Sequence, residues 1–382
     1  MKYYIIAGEP SGDLHGSNLM KGLLKSDPEA QFCVCGGDMM SSVGGKENLL
    51  KHYREMSFFG FLQVAMNIRT IFTQMKDCCQ DILAFQPDVV ILIDYPGFNI
   101  KIAEFAHSKG IPVHYYIAPK VWAWKERRVK ALKKWVDKLY TIFPFETPYF
   151  RSKGIEPHFC GNPLVDAITE RCAAAPVEEE FRKQNGLDER PIIALLAGSR
   201  VSEIKANLRF MARLAQRIPT HQFVVAGVGW IDRQQYEKYT SDIPVKFVCD
   251  KTYELLQISE AAVVTSGTAT LETALIGIPE VVVYGIPWLY EKVKPYLLKI
   301  PFVSLVNINM GREVVREMVV YNPSVDEAEK ELRSIMKGGA KREKMLADFD
   351  ELREIIGGAG ASDRFAADIV KTIQNSKFKI QN

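Results

Sequence analysis

The chain has 382 residues, of which 47% are hydrophobic and 25% are charged. This length is typical of two domains or of one large domain. The formal net charge of +3 is too small to indicate nucleic-acid binding by itself. No apolar stretch approaches the ~20 residues of a membrane-spanning helix, and the N-terminus MKYYIIAGEP is strand-like rather than a signal peptide. Seven cysteines without a CxxC pair predict a reducing compartment and no disulfide framework.

Apolar runs alternate with helix-like stretches, which predicts parallel sheets with crossover helices. The first series of predicted strands is Tyr3–Ala7, Phe32–Cys35, Val89–Ile93, Val113–Ile117 and Leu139–Ile142. The second series is Ile192–Ala197, Gln222–Ala226, Val245–Val248, Ala262–Thr265 and Glu280–Tyr284. The polar stretch Pro163–Pro191 between them predicts a linker with one helix over Val177–Asn185.

The predicted fold is therefore α/β, with two facing Rossmann-like domains and a helical tail from Ser324 to Asn382. The tail is broken at GGAGAS, where Gly357-Gly358 indicates a helix C-cap and Ser362 a new N-cap. Ligands of open α/β sheets bind beyond the carboxyl ends of the strands. The candidate motifs fall at those ends.

Two motifs follow strands of the first domain. AGEPSGDLHG is a glycine-containing loop after the first predicted strand. It does not match the GxGxxG dinucleotide fingerprint. A plain strand–helix turn capped by Asp13 would explain it equally well. In VVILIDYPGFN, Asp94 closes an apolar strand before Pro96-Gly97 turns the chain. A carboxylate there is a candidate general base. The alternative is an Asp that caps a helix or braces the loop.

Two motifs follow strands of the second domain. Gly198-Ser199-Arg200 favours anion binding, because a planar guanidinium binds two phosphate oxygens at once; the alternative is an Arg that braces the helix start at Glu203. Ser266-Gly267-Thr268 begins a helix whose free amides attract phosphate. Glu272 lies a turn later and is suited to accept both hydroxyls of a ribose, unless it is simply solvent-exposed.

Two further stretches favour an apolar partner. In Phe58–Phe72, ten of fifteen residues are apolar and wrap most of a helix, which is typical of a buried or membrane-interface helix. Lys120–Lys138 carries eight basic and two acidic residues interleaved with Trp122, Trp124 and Trp135. That pattern suits an anionic lipid surface, although nucleic acid or a solvated face would also fit.

The histidines show no metal-ligand spacing, and no nucleophile–histidine pattern stands out. We therefore expect neither a metal ion nor a cofactor. His15 lies in a suggestive loop but has no assigned role.

Eight motifs occur in order from residue 7 to about residue 313: AGEPSGDLHG, IDYPGFN, HYYIAPKVWAWKERRVK, IFPFE, GNPLVD, LLAGSR, TSGTATLE and NINMGRE. Together they resemble the lipid-A-disaccharide synthases, glycosyltransferases of the two-Rossmann (GT-B) architecture. The resemblance implies an inverting, metal-independent enzyme of lipid A and lipopolysaccharide biosynthesis in a Gram-negative bacterium. It would join UDP-2,3-diacylglucosamine to 2,3-diacylglucosamine 1-phosphate and release UDP.

The resemblance also implies roles for individual residues. Asp94 would be the base, Glu9 would line the reaction cleft, and Arg200 would meet the diphosphate or the sugar. The residues expected to bind substrate or UDP are Ser11, Gly12, Ser199, Ser266, Gly267, Thr268, Ala269, Thr270, Glu272, Asn307 and Glu313. Those expected to contact membrane or acyl chains are Phe58, Phe59, Phe61, Leu62, Ala65, Met66, Ile68, Arg69, Trp122 and Trp124.

Two positions depart from the family pattern. Family members often have a second Asp where this chain has Gly97, which places the base role more firmly on Asp94. GNPLVD replaces a GH-containing motif and leaves Asn162 without an assigned role.

The resemblance implies an acceptor and membrane-associated domain over residues 1–165, a UDP-sugar domain over residues 166–354, and a return of residues 355–382 to the first domain. Besides the two substrates, the implied partners are inner-membrane phospholipids and a second copy of the chain in a homodimer, with no nucleic acid. The implied location is peripheral, on the cytoplasmic face of the inner membrane. The rival functions are a UDP-sugar 2-epimerase, a non-enzymatic module that binds lipid or sugar nucleotide and, more weakly, an RNA binder.

Overall fold

The computed structural model describes residues 1–56, 68–122, 126–286 and 301–381. The chain divides into two compact units. The first comprises Met1–Ala167 and Ile356–Asn382, and the second comprises Ile168–Ile355. None of the helices within the described ranges combines the length and apolar character that a membrane crossing requires.

The first unit contains a parallel sheet in the order β3-β2-β1-β4-β5-β6-β7. Its strands are β1 Lys2–Ala7, β2 Gln31–Gly36, β3 Leu49–His52, β4 Val89–Ile93, β5 Val113–Tyr116, β6 Lys138–Thr141 and β7 Pro157–Phe159. Its helices, in chain order, are α1 Pro10–Ser26, α2 Asp38–Gly44, α3 Tyr53–Met56, α4 Ile68–Phe85, α5 Pro96–Ser108, α6 Arg128–Trp135 and α7 Glu146–Ser152. The chain leaves the unit through α8 Pro163–Ala173.

The second unit contains a parallel sheet in the order β10-β9-β8-β11-β12-β13. Its strands are β8 Ile192–Leu196, β9 Gln222–Gly227, β10 Val245–Cys249, β11 Ser259–Thr265, β12 Glu280–Gly285 and β13 Arg316–Val320. Its helices are α9 Glu178–Gln184, α10 Val201–Arg217, α11 Arg233–Thr240, α12 Thr252–Gln257, α13 Thr268–Ile276, α14 Leu305–Met310, α15 Val325–Ile335 and α16 Arg342–Ile356. The last helix of the chain, α17 Ala361–Gln381, belongs to the first unit.

Both sheets have the doubly wound topology of Rossmann folds, so the predicted fold class is confirmed. All ten predicted strands are present. The three strands that the sequence pattern missed are β3, β7 and β13, and each lies at a sheet edge. Edge strands are only partly covered, so they lack the continuous apolar run that marks a strand buried on both faces.

The last helix covers one face of the first sheet. Successive side chains of β1 point to opposite faces, and Tyr3 and Ile5 pack in the same buried cluster as Phe365 and Ile369 of α17. Because α17 supplies part of this core, the first unit is built from both ends of the chain.

The start of α17 corrects one prediction. The helix begins at Ala361, and Ser362 is already helical rather than its N-cap. The cap is the side chain of Asp166 in α8, which accepts hydrogen bonds from the backbone N–H groups of Gly360, Ala361 and Ser362. The free amides of a helix start can be satisfied by a distant carboxylate, and local sequence does not reveal such a partner.

Candidate functional site

The end of β4 carries a carboxyl group on an unusual stretch of backbone. Asp94 has φ 41° and Tyr95 has φ 46°. Two consecutive non-glycine residues in the left-handed region are costly and must be held by their surroundings. The carbonyl of Asp94 accepts hydrogen bonds from Tyr115 Oη at 2.6 Å and from Asn99 Nδ2 at 2.9 Å. This turn fixes the backbone of Asp94 directly before α5 begins.

The end of β1 lies next to this turn, since Ala7 pairs with Ile93 in the sheet. The ring of Tyr95 packs so closely on Gly8 that a Cβ there would lie 2.4 Å from it. The negative charge of Glu9 adds to the burial that raises the pKa of Tyr95 to about 12. Glu9 and Asp94 therefore lie at neighbouring strand ends, in the region where the sequence placed both.

The pKa of Asp94 is raised by burial, and the positive charges of Lys120 and Arg128 and the N–H of Tyr95 act against that rise. A carboxylate with a raised pKa is a stronger base than an exposed Asp. Perturbed carboxyl groups of this kind are typical of functional sites.

In the second unit, β8 ends in a loop that is braced by Glu203. Gly198 has φ 106°, and the carboxylate of Glu203 accepts a hydrogen bond from Ser199 N at 3.0 Å. Arg200 forms a 3.1 Å ion pair with Glu203, yet its side chain remains 71% exposed. The bracing alternative is therefore present in the structure, and the guanidinium is still accessible to an anion.

The end of β11 forms an open helix start. Helix α13 begins at Thr268 after the exposed Gly267, and no side chain caps it. The hydroxyl of Ser266 donates to the carbonyl of Val303 at 2.9 Å, which fixes the residue before the turn. Uncapped, exposed amides at a helix N-terminus form an anion-binding site.

Glu272 lies one turn into α13 and is half-buried. Its carboxylate accepts a 2.9 Å hydrogen bond from the hydroxyl of Tyr253, and the guanidinium of Arg171 lies over the Tyr253 ring at 5.2 Å. Burial raises the pKa of Glu272, and Tyr253 and Arg171 oppose the rise. The carboxylate is thus held in place beside the helix start rather than free in solvent.

Three residues predicted to bind UDP have other roles in the structure. Gly12 is buried, and a Cβ there would lie 3.2 Å from the Cβ of Ala7, so its glycine allows α1 to pack on β1. Thr270 is fully buried and its hydroxyl donates to the carbonyl of Gly267 at 2.9 Å. Neither residue presents a side-chain group to a ligand.

Asn307 is the third. It is fully buried, its Nδ2 donates to Val315 O and to Glu317 Oε1, and its Oδ1 accepts from the N–H groups of Val314 and Val315. All its side-chain hydrogen bonds are therefore used within the protein and organise the loop before β13, and its contact with nucleotide stays a prediction.

The remaining predicted positions vary in exposure. Ser11 is exposed, Ala269 is half-buried, and Glu313 is exposed and paired with Arg316 at 3.2 Å. Among the predicted acyl-binding residues, Phe58, Phe59, Phe61, Leu62, Ala65, Met66 and Trp124 lie outside the described residues. Ile68 begins α4, where Arg69 is exposed.

Sequence reasoning assigned no role to Glu146, which, like Asp94, is influenced by the charge of Lys120. It is fully buried, and its carboxylate accepts hydrogen bonds from Trp122 Nε1 at 3.0 Å and from the N–H groups of Ile142 and Phe143 at 3.2 Å. Burial raises the pKa of Glu146 to about 7, although these hydrogen-bond donors and the positive charge of Lys120 lower it. An acidic residue directly after the apolar run IFPF was the available signal.

Two Rossmann-like units, with an uncapped helix start in one and a carboxyl group of raised pKa in the other, define the class of two-Rossmann α/β proteins. Solved structures share this fold. UDP-GlcNAc 2-epimerase from Neisseria meningitidis, solved with UDP-GlcNAc, aligns with a TM-score of 0.65 and 14% identity over 98% of this chain and 100% of that chain. The Rickettsia bellii enzyme of the same name aligns with a TM-score of 0.64 and 11% identity, over 98% of this chain and 97% of that chain.

The sequence comparisons are more specific. The family model described as lipid-A-disaccharide synthetase matches residues 3–363. Lipid-A-disaccharide synthase from Syntrophus aciditrophicus is 34% identical over 97% of this chain and 98% of its own length, and that from Myxococcus xanthus is 35% identical over 97% of both. The chain belongs to the lipid-A-disaccharide synthetase family and is a glycosyltransferase of lipid A biosynthesis, as the motifs predicted.

Proposed function

We propose that this protein transfers 2,3-diacylglucosamine from UDP to the 6-hydroxyl of 2,3-diacylglucosamine 1-phosphate, with inversion at the anomeric carbon. The observation that carries the proposal is the complementary chemistry of two strand ends. Asp94, with its raised pKa, follows β4 in the first unit, and the uncapped helix start at Ser266–Thr268 follows β11 in the second. The proposal requires both to act on the same donor molecule.

In the proposed mechanism, Asp94 removes the proton from the acceptor 6-hydroxyl as its oxygen attacks the anomeric carbon. The bond to the UDP oxygen breaks on the opposite face, and UDP leaves with an added negative charge. The amides of Gly267 and Thr268, with Arg200, stabilise that charge in a role that other enzymes give to a metal ion. Glu272 accepts hydrogen bonds from the ribose hydroxyls.

The proposal includes attachment to the cytoplasmic face of the inner membrane, because both substrates carry acyl chains. Phe72 in α4 is 64% exposed, and it is the last residue of the apolar stretch Phe58–Phe72. Trp122, which is predicted to contact lipid, donates its indole N–H to Glu146 and is half-buried.

The direct test is to incubate the purified protein with both substrates in mixed detergent micelles. We expect equal amounts of UDP and disaccharide phosphate, with β configuration at the new linkage by NMR. Absence of the disaccharide under conditions where the protein binds UDP would refute the proposal.

The fold of the structural neighbours keeps a UDP-sugar 2-epimerase activity as a second candidate. The protein would then convert UDP-GlcNAc without any acceptor. Proton NMR of UDP-GlcNAc incubated with the protein alone separates the two functions, and we expect no epimerised sugar.

A further inference from the structure

The loop that follows β5 is anchored at both ends. At its start, the N–H of Ala118 donates to the carbonyl of Tyr140 in β6 at 2.9 Å. At its end, Trp122 donates its indole N–H to Glu146, and the Trp122 ring packs edge-on against Phe145 at 4.9 Å. Lys120 is the exposed residue between these two anchors.

Glu146 is the centre of this anchoring. Its three donors come from two loops, since Trp122 follows β5 and Ile142 and Phe143 follow β6. A buried carboxylate with several N–H donors holds its neighbours more firmly than one neutral hydrogen bond would. Glu146 therefore holds Trp122, which lies two residues after Lys120 in the same loop.

Lys120 also lies at the edge of the Asp94 site. The strand ends of β4 and β5 are adjacent, because Ile93 pairs with Tyr116. The charge of Lys120 acts on both Asp94 and Glu146, and that of Arg128 acts on Asp94. Within the described ranges, no carboxylate lies at ion-pair distance from Lys120.

We propose that Lys120, with Arg128, binds the phosphate group of the sugar acceptor, and that Glu146 is the positioning residue that holds Lys120 there. The inference rests on the proposed function, which supplies a phosphorylated acceptor. In a hexopyranose 1-phosphate the phosphate on C1 and the CH2OH group on C5 flank the ring oxygen, so the phosphate and the 6-hydroxyl are separate groups on the same side of the ring. The cation should thus lie near the base without pairing with it. An ammonium group on a long stem suits a phosphate as a point charge.

The test measures binding without donor, so that no turnover occurs. The probes are 2,3-diacylglucosamine 1-phosphate and the same sugar with a free 1-hydroxyl, both in detergent micelles. For Lys120→Met we expect the Kd of the phosphorylated sugar to rise about 10- to 100-fold, as for the loss of one charge-assisted hydrogen bond. The Kd of the phosphate-free sugar should stay within about twofold. Lys130→Met is the matched control, because Lys130 is an exposed cation of the same basic segment.

Kinetics separate this role from an effect on the base. Phosphate binding predicts that Lys120→Met raises the KM of the phosphorylated acceptor with little change in kcat and leaves the KM of the phosphate-free acceptor unchanged. Because the charge of Lys120 lowers the pKa of Asp94, the acid limb of the pH profile should move to higher pH with both acceptors alike. If Lys120→Met raises the KM of both acceptors equally, Lys120 acts only through Asp94 and the assignment is wrong.

The positioning role of Glu146 is tested by Glu146→Gln and Trp122→Phe. Both should raise the KM of the phosphorylated acceptor selectively, and adding Glu146→Gln to Lys120→Met should cause no further loss. Trp122→Phe keeps the ring against Phe145, so it reports on the hydrogen bond even if Glu146→Gln misfolds. Losses that add fully would refute the positioning role. If the wild-type protein makes disaccharide but Lys120→Met binds both acceptors normally, only this inference fails; if the wild type makes none, the proposed function fails with it.

Discussion

In the first sheet, the strand order reverses between β1 and β4, and Asp94 directly follows β4. In the second sheet, the strand order reverses between β8 and β11, and Ser266–Thr268 directly follows β11. The sheet order around the two positions is the same, but the chemistry is opposite. One end carries a half-buried carboxyl group on left-handed backbone, and the other carries uncapped helix amides.

Under the proposed function, this difference lets one topology provide both halves of a group transfer. The loops at the carboxyl ends of the strands can vary in sequence while the sheet beneath them stays the same. A carboxylate at that position can accept a proton, whereas uncapped helix amides can bind an anion. Each unit can therefore be tested separately. A change at one strand end should alter the function proposed for that unit and leave the function proposed for the other unit unchanged.

The largest effect is expected from Asp94→Asn. Asn tolerates left-handed backbone well, so the turn should survive while the base is lost. We expect kcat to fall by roughly 10²- to 10⁴-fold, with the Kd of UDP unchanged because the proposed nucleotide site belongs to the other unit. Transfer assays and calorimetry measure the two quantities. Near-normal turnover would show that Asp94 only braces its loop.

The pH profile tests the same carboxyl group. Burial raises the pKa of Asp94 above its usual value, and only the ionised form acts as a base. Activity should therefore fall as the pH is lowered through that raised pKa, at a higher pH than an ordinary Asp would give. An acid limb at the ordinary Asp pKa of about 3.9 would contradict this environment.

Glu272→Ala should affect the second unit alone. Losing a carboxylate that accepts from two ribose hydroxyls should raise the Kd of UDP by about 10- to 100-fold. Tyr253→Phe is the control: it removes the 2.9 Å donor to Glu272 but leaves the carboxylate, so its effect should be smaller. Unchanged UDP affinity in Glu272→Ala, measured by calorimetry, would refute the ribose assignment.

The sequence predicted the parts of this architecture that depend on continuous local patterns. The central strands were found because both their faces are buried, and Asp94 and Ser266–Thr268 were found because they follow such strands. The left-handed backbone at Asp94 was not predicted, since it depends on hydrogen bonds from Asn99 and Tyr115.

Contacts between distant parts of the chain account for the other errors. Glu146 meets Trp122 across 24 positions, and Asp166 caps a helix start almost two hundred positions away. Asn307 lies in a motif typical of the family, but its side chain is used by the backbone of its own loop. A motif shows which residue types are required at certain positions. Only the packing shows whether such a residue is required to contact a ligand or to hold the fold.

Gly267→Ala is a milder change at the helix start of the second unit. A Cβ at Gly267 would meet no atom within 4 Å, so the substitution should leave the unfolding temperature unchanged. The added methyl group would crowd a phosphate bound to the amides, and we expect the Kd of UDP to rise about 10-fold. Normal UDP affinity in a stable variant would place the phosphate elsewhere.

The smallest effect is expected at the proposed membrane surface of the first unit. Phe72 is 64% exposed and Leu83, on the same helix, is 48% exposed. Phe72 lies near the start of α4 and within the apolar stretch Phe58–Phe72, whereas Leu83 lies near the end of the helix. We expect Phe72→Glu to lower the fraction bound to anionic phospholipid vesicles about fivefold, and Leu83→Glu to leave it unchanged. Sedimentation with vesicles measures both. Equal losses would mean that the added charge matters more than its position, and the contrast between a lipid-facing first unit and a nucleotide-binding second unit would then lose its support.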